Sequence, residues 1–208
     1  MNEAELKHPI TTEIINSAMS YQEYTDLLNV LFEQGKTTGT NHSEAMLGYA
    51  KMNIHRMKRL NKTVEITEAL NVAIKEFEAK KVDTIWLVIT EGWCGDAAQN
   101  LPIINKLVEG SNTMELKLIL RDENLAIMDA FLTNGGRSIP KLIVLNKDNL
   151  EVLGTWGPRP AYAQKMSEEF RKIPNGDYSE FNKEVQLWYA KDKTQGTQSE
   201  LTELVKEL

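Results

Sequence analysis

The only cysteine of this 208-residue chain, Cys94, stands in the run Thr90-Glu91-Gly92-Trp93-Cys94-Gly95-Asp96-Ala97. The residues before it, Ile85-Trp86-Leu87-Val88-Ile89, read as a strand, and those after it as a helix reaching about Val108. A sulfur at such a turn meets backbone N–H groups and the positive end of a helix dipole. Both favour thiolate over thiol, and thiolate is the nucleophile. Gly95 lets the chain turn tightly, and Trp93 shields one side of the sulfur. Asp96 is favourable in a first helical turn by about 0.3–1 kcal/mol. As an anion beside the sulfur it also works against the thiolate. A lone cysteine has a plainer role as a small buried hydrophobe, and that alternative stays open.

Two further segments belong beside this loop. Gly136-Arg137-Ser138-Ile139-Pro140 leads into the apolar strand Lys141 to Leu145, and Trp156-Gly157-Pro158-Arg159-Pro160 forms a rigid turn. That turn can aim Arg159 at an anionic group such as the carboxylate of a small thiol; ordinary turn chemistry is the plainer account of it. His8, His42 and His55 are scattered without metal-ligand spacing, so no metal site is expected. Arg56-Met57-Lys58-Arg59 with Lys62 reads as the solvated face of a helix whose Met57 and Leu60 turn inward. Lys51, Arg56 and Arg59 reach a substrate if that helix packs over the groove.

The elements that must hold these residues follow from periodicity. Up to about Lys81 the chain reads as helical. Ser20 with Glu23 forms a capping box opening Tyr21 to Gln34, which carries Leu27, Leu28, Leu31 and Phe32 and stops at Gly35. After a loop from Thr37 to Ser43, a second helix runs to about Leu60. A third, about Thr67 to Lys80, buries Leu70, Ala73, Ile74 and Phe77. From Val82 the order is strand, helix, strand (Met114 to Leu120), helix (about Asn124 to Thr133), strand, strand (Leu150 to Trp156), helix. That is a mixed α/β sheet flanked by helices. In the tail, a helix from Tyr178 to about Lys191 is expected to be interrupted at Gly196. Ser199 would then cap a short final helix bearing Leu201, Leu204, Val205 and Leu208.

The motif resembles the thioredoxin family. Trp93-Cys94-Gly95 matches its active-site loop, and Pro102 falls where that helix carries a proline. Ile139-Pro140 resembles the cis-proline loop, and Gly157 the glycine lining the same groove. The resemblance spans about Val82 to Lys172. It implies a thioredoxin fold in which Cys94 is the catalytic residue, and Trp93, Gly95, Asp96, Ile139, Pro140, Gly157 and Arg159 bind substrate. The expected organisation is an N-terminal helical extension over 1–81, a thioredoxin-like domain over 82–173 and a helical tail over 174–208. Two departures matter. Ala97 replaces the resolving cysteine of the family, and Val88 its buried acid. With one sulfur, a mixed disulfide on Cys94 cannot be resolved within the chain. The expected activity is therefore monothiol disulfide exchange or deglutathionylation. Glutathione or another low-molecular-weight thiol is then the co-substrate, and no bound cofactor is needed. The alternative is a redox-inactive binding or adaptor module that uses the same groove. Peroxiredoxin chemistry fits poorly, because Glu91 and Leu87 stand where that family has a threonine and a proline.

Composition narrows the partners. A net charge of −6 argues against a nucleic-acid backbone as the main ligand. No apolar run approaches the roughly 20 residues that span a bilayer. The start, Met1-Asn2-Glu3-Ala4-Glu5-Leu6, has no basic, apolar leader. A cytoplasmic protein acting on protein or small-molecule thiols and disulfides is expected, with neither nucleic acid nor membrane as partner. Its oligomeric state is left open.

Overall fold

The computed structural model describes residues 8–208, so Met1 to Lys7 fall outside it. Four helices come first: α1 (Thr12–Ser17), α2 (Tyr21–Glu33), α3 (Glu44–Thr63) and α4 (Glu68–Ala79). The capping box of α2 forms on both sides, Ser20 Oγ accepting from Glu23 N and Glu23 from Ser20 N. Gly35, at φ 69°, takes the left-handed turn that ends the helix. Only Tyr24 and Leu28 of α2 are fully buried; Leu27, Leu31 and Phe32 lie at the margin.

The sheet comprises β1 (Thr84–Thr90), β2 (Met114–Leu120), β3 (Lys141–Asn146) and β4 (Val152–Trp156), in the order β2-β1-β3-β4. β1 pairs parallel with β2 and antiparallel with β3, so it has strands on both sides. All seven of its residues are buried, as its unbroken apolar run requires. Met19 closes the β2 edge with two hydrogen bonds to Leu118 (2.9 and 2.8 Å). β4 starts at Val152 rather than Leu150, because Leu150 sits at φ 59° in the tight turn that Asn146 Oδ1 organises.

The remaining helices are α5 (Gly95–Val108), α6 (Leu125–Ala130), α7 (Ala161–Arg171), α8 (Tyr178–Asp192) and α9 (Gln195–Glu207). α3 packs on α5, and α9 packs on α4 and β4. One buried cluster therefore runs from Ile10 through Leu70, Ile74 and Phe77, across the sheet, to Leu201 and Val205. The α9 stripe is thus spent inside its own chain. The tail needs one correction. Gly196 does not break the chain, and Ser199 lies inside α9 instead of capping it. The break comes at Lys193 (φ 51°) and Thr194 (φ 70°), and Gly196 N donates to the Asp192 carboxylate. α7 and α8 pack through a separate cluster: Phe181, Val185 and Tyr189 with Met166, Phe170 and Trp188.

Candidate active site

The turn from β1 into α5 is gripped by the N-terminal helices. Gly92 N donates to Thr38 Oγ1 (2.8 Å), and Gly92 O accepts from Asn53 Nδ2 (3.0 Å). A Cβ at Gly92 would stand 2.5 Å from Leu28 Cδ2, so a larger residue there would force the Leu28 side chain to move. Cys94 is the N-cap of α5. Its sulfur accepts from Ala97 N at 3.4 Å, and its thiol donates to Ile139 O at 3.3 Å. The Ile139–Pro140 peptide bond is cis. Gly157, at φ 106°, lies against Pro140 O too closely to carry a side chain. Cys94, Ile139, Pro140 and Gly157 therefore converge on one spot, while the Trp93 ring faces Gly39 and Arg121.

The sulfur does not behave there as its helix position suggests. Cys94 is only 8% exposed. Burial, and after it the charge of Asp96, pushes its thiol up to about 12. The Ala97 N–H and Arg159 act in the opposite direction and are outweighed. The preference of the helix end for thiolate is thus outweighed by burial in this closed arrangement. A helix end contributes about 0.3–1 kcal/mol to a nearby charge, and desolvating a thiolate costs more.

Arg159 also departs from its expected role. Instead of pointing at solvent it holds Asp96, with Nε and Nη2 at 3.0 and 2.5 Å from the same carboxylate oxygen. Both side chains are 13% exposed. Burial works against the Arg159 charge, but the attraction of Asp96 prevails and holds the guanidinium protonated. The other Asp96 oxygen accepts from Tyr189 OH at 2.8 Å. Asn100 Nδ2 donates to Tyr189 Oη (3.1 Å) and to Asp96 O (2.9 Å), and Thr197 Oγ1 donates to Asn100 Oδ1 (2.7 Å). Burial, reinforced by Asp96, raises the Tyr189 phenol well above its ordinary value, so it stays a neutral donor.

Tyr189 brings α8 over the site. One turn earlier, Gln186 accepts from Gln99 Nε2 at 2.7 Å. Its Nε2 lies 3.0 Å from where a Gly95 Cβ would stand, and Arg56 Nη1 lies 3.7 Å from the same point. Gly95 thus makes room for a side chain of α8. On the other flank, the Arg121 guanidinium stacks over Trp93 at 4.8 Å. Glu91 is fully buried, its Oε1 accepting from Asp122 N (2.9 Å), and burial raises its carboxyl. Among the described residues no group of His, Cys, Asp and Glu is arranged to hold a metal, and no helix is long and apolar enough to cross a membrane.

Sequence reasoning missed Tyr189, Gln186, Asn53 and Thr38 as site residues. One signal was available: Asn53 sits on the buried stripe of α3 with Ala50, Met57 and Leu60, where a polar side chain needs a partner. Tyr189 follows Phe181 and Val185 at helical spacing and reads as core, which hides the contact made by its hydroxyl.

A thioredoxin family model matches residues 39–171, nearly two thirds of the sequence, and the chain belongs to that family. The match begins before α3, so α3 and α4 lie inside it. The crystal structure of a Pseudomonas aeruginosa protein of unknown function is similar, with a TM-score of 0.52 and 16% identity, over 90% of this chain and 98% of that one. An HIV epitope scaffold is similar too, with a TM-score of 0.51 and 16% identity, over 91% and 99%. Both likenesses concern the fold. No match is found among curated proteins.

Proposed function

We propose that this protein is a thiol oxidoreductase that works through Cys94 alone and uses a low-molecular-weight thiol such as glutathione as co-substrate. In this reading α8 is a cover that must lift for turnover. The observation that carries it is the placement of the sulfur, at the N-cap of α5 and 3.3 Å from the carbonyl that precedes Pro140. A substrate chain extended along Ile139 would bring its sulfur there.

The cover has the marks of a movable part. α8 meets the rest of the site through polar contacts, Gln186 with Gln99 and Tyr189 with Asp96 and Asn100. Its apolar residues pack mainly with α7. Left-handed residues flank it, Asn175 before and Lys193 and Thr194 after. Such positions absorb large backbone changes. Once uncovered, the sulfur loses the burial that holds its proton, and the end of α5 then favours thiolate.

The reaction balances with a thiol reductant. The Cys94 thiolate attacks the small-thiol sulfur of a glutathionylated partner. The partner's thiolate leaves and takes up a proton, and Cys94 carries the small thiol in a mixed disulfide. A second small thiol, as thiolate, attacks that sulfur, releasing the small-molecule disulfide and returning the Cys94 thiolate. In net terms, one mixed disulfide and one small thiol give one partner thiol and one small-molecule disulfide, the incoming small thiol being the reductant. A reducing compartment such as the cytoplasm supplies the co-substrate.

A second reading is favoured by the covered, protonated sulfur: a redox-inactive binding module whose groove is formed by Trp93, Ile139, Pro140 and Gly157. A glutathionylated peptide with excess glutathione, followed by intact mass, separates the two. The oxidoreductase reading expects peptide release, a transient glutathione adduct on Cys94, and loss of both in Cys94→Ser. Release that survives Cys94→Ser, or no adduct even after Tyr189→Phe loosens the cover, overturns it. The closed state also has a pH signature. A thiol raised in the folded protein contributes stability that is full below its unfolded value near pH 8.5. That contribution is lost as pH climbs toward about 12. Melting temperature should therefore fall across that alkaline window in wild type and fall less in Cys94→Ser.

A further inference from the structure

Arg56 and Arg59 lie one turn apart on α3, and neither forms an ion pair among the described residues. Arg56 is half-buried and donates to Asn53 Oδ1 (2.8 Å). Its guanidinium stands against Gly95 at the first residue of α5, where the helix end is itself positive. Burial and the repulsion of Arg59 both disfavour its charge, and Asp96 alone acts the other way. Asp96 is already engaged by Arg159 and Tyr189. The two guanidiniums therefore place positive charge side by side at this corner without a salt-bridge partner among the described residues.

Beside it, between α3, α5 and the junction of α8 with α9, opens a cleft of about 350 Å³, large enough for a small ligand. Arg59, Gln99, Tyr189, Lys193 and Gln195 line it, and Glu65 is the one acid on its wall. The whole chain carries −6, so this wall runs against the overall field. An anionic thiol approaching an acidic protein needs such a local patch. Gln99 and Tyr189 belong to the contacts that keep α8 closed, and Lys193 is one of the left-handed residues after it.

We propose that this cleft binds the carboxylates of the low-molecular-weight thiol co-substrate, with Arg59 and Lys193 of its lining as charge partners and Arg56, one turn from Arg59, adding positive charge beside it. The identity of the ligand rests on the oxidoreductase reading; the existence of an anion site does not.

The test uses the full-length Cys94→Ser protein, which cannot exchange disulfides, titrated calorimetrically with S-methylglutathione. Saturable one-to-one binding is expected, weakened about tenfold or more by Arg59→Glu and progressively weakened by salt. Lys193→Asn, which suits a left-handed position, removes the second cation and should weaken binding similarly. In protein that retains Cys94, Arg59→Glu should raise KM for the small thiol and leave kcat alone. Absence of saturable binding up to about 10 mM, or binding that neither substitution changes, overturns the site. Inorganic phosphate binding as tightly as S-methylglutathione overturns the ligand class. Normal binding together with no Cys94-dependent turnover would sink the oxidoreductase reading and leave the anion site standing.

Discussion

The loop that carries Cys94 is gripped from two sides, and the two grips are built differently. On one side α3 reaches it with Asn53, which is 1% exposed and bonded to Gly92 O. Ala50, Met57 and Leu60 of the same helix are buried, and the last two belong to the main core. On the other side α8 reaches it with Gln186 and Tyr189, while the apolar contacts of α8 stay in a cluster of their own with α7. Freeing α3 means opening the core. Lifting α8 means breaking a few hydrogen bonds, most of which water can replace. On the proposed reading the sulfur thus sits between a fixed wall and a movable one.

The largest effect should come from the fixed wall. Met57 is 3% exposed within the core, and Met57→Ala should cost about 2–5 kcal/mol through lost burial and a residual cavity. Thermal or urea melts would show it as a drop in global stability. Cys94 alkylation should accelerate only as far as global unfolding does. A variant that labels quickly while melting like wild type would place the weak point at α3 and reverse the comparison.

Tyr189→Phe sharpens the other side. It deprives Asp96 Oδ1 of a donor and Asn100 Nδ2 of one of its acceptors, a loss of about 1–3 kcal/mol. If that energy holds the cover down, Cys94 alkylation should speed up about 5- to 150-fold. The global melting temperature should move much less than for Met57→Ala. A matching loss of melting temperature with no gain in labelling would show that α8 is part of the folded core and not a cover.

The parts of this arrangement differ in how plainly the sequence announces them. β1 is readable because a strand buried on both faces needs a continuous apolar run, and Ile85 to Ile89 supplies one. The stop of α2 is readable because Gly35 takes a conformation that other residues avoid. The break before α9 is not, because Lys193 and Thr194 adopt positive φ without the usual residue types. Gly196 was an obvious candidate, yet it is accommodated inside the helix by Asp192. The approach of Cys94 to Ile139 follows from a motif that keeps its spacing. The state of that sulfur depends on residues 60 to 95 positions away, Arg159 and Tyr189 among them, and local pattern carries no record of contacts at that range. Arg159 was visible as a cation near the groove, and Asp96 as a helix-favouring acid beside the sulfur and a substrate-binding residue, but nothing local paired the two.

The smallest expected effect lies on α8 itself. Lys183 pairs with Glu180 across one helical turn at 2.6 Å, with both side chains about two-thirds exposed. An exposed pair of this kind is screened by water and salt, and ordering two long side chains offsets much of its attraction. Alanine also favours helix slightly over lysine. Lys183→Ala should therefore shift the melting temperature by less than about 2 °C and leave Cys94 labelling at the wild-type rate. The null result is informative because this change touches the same helix as Tyr189→Phe without touching its polar contacts. If Lys183→Ala accelerated labelling as strongly, the cover would be held by the helicity of α8 as a whole. A selective response to Tyr189→Phe assigns the hold to the phenol and the carboxylate beneath it.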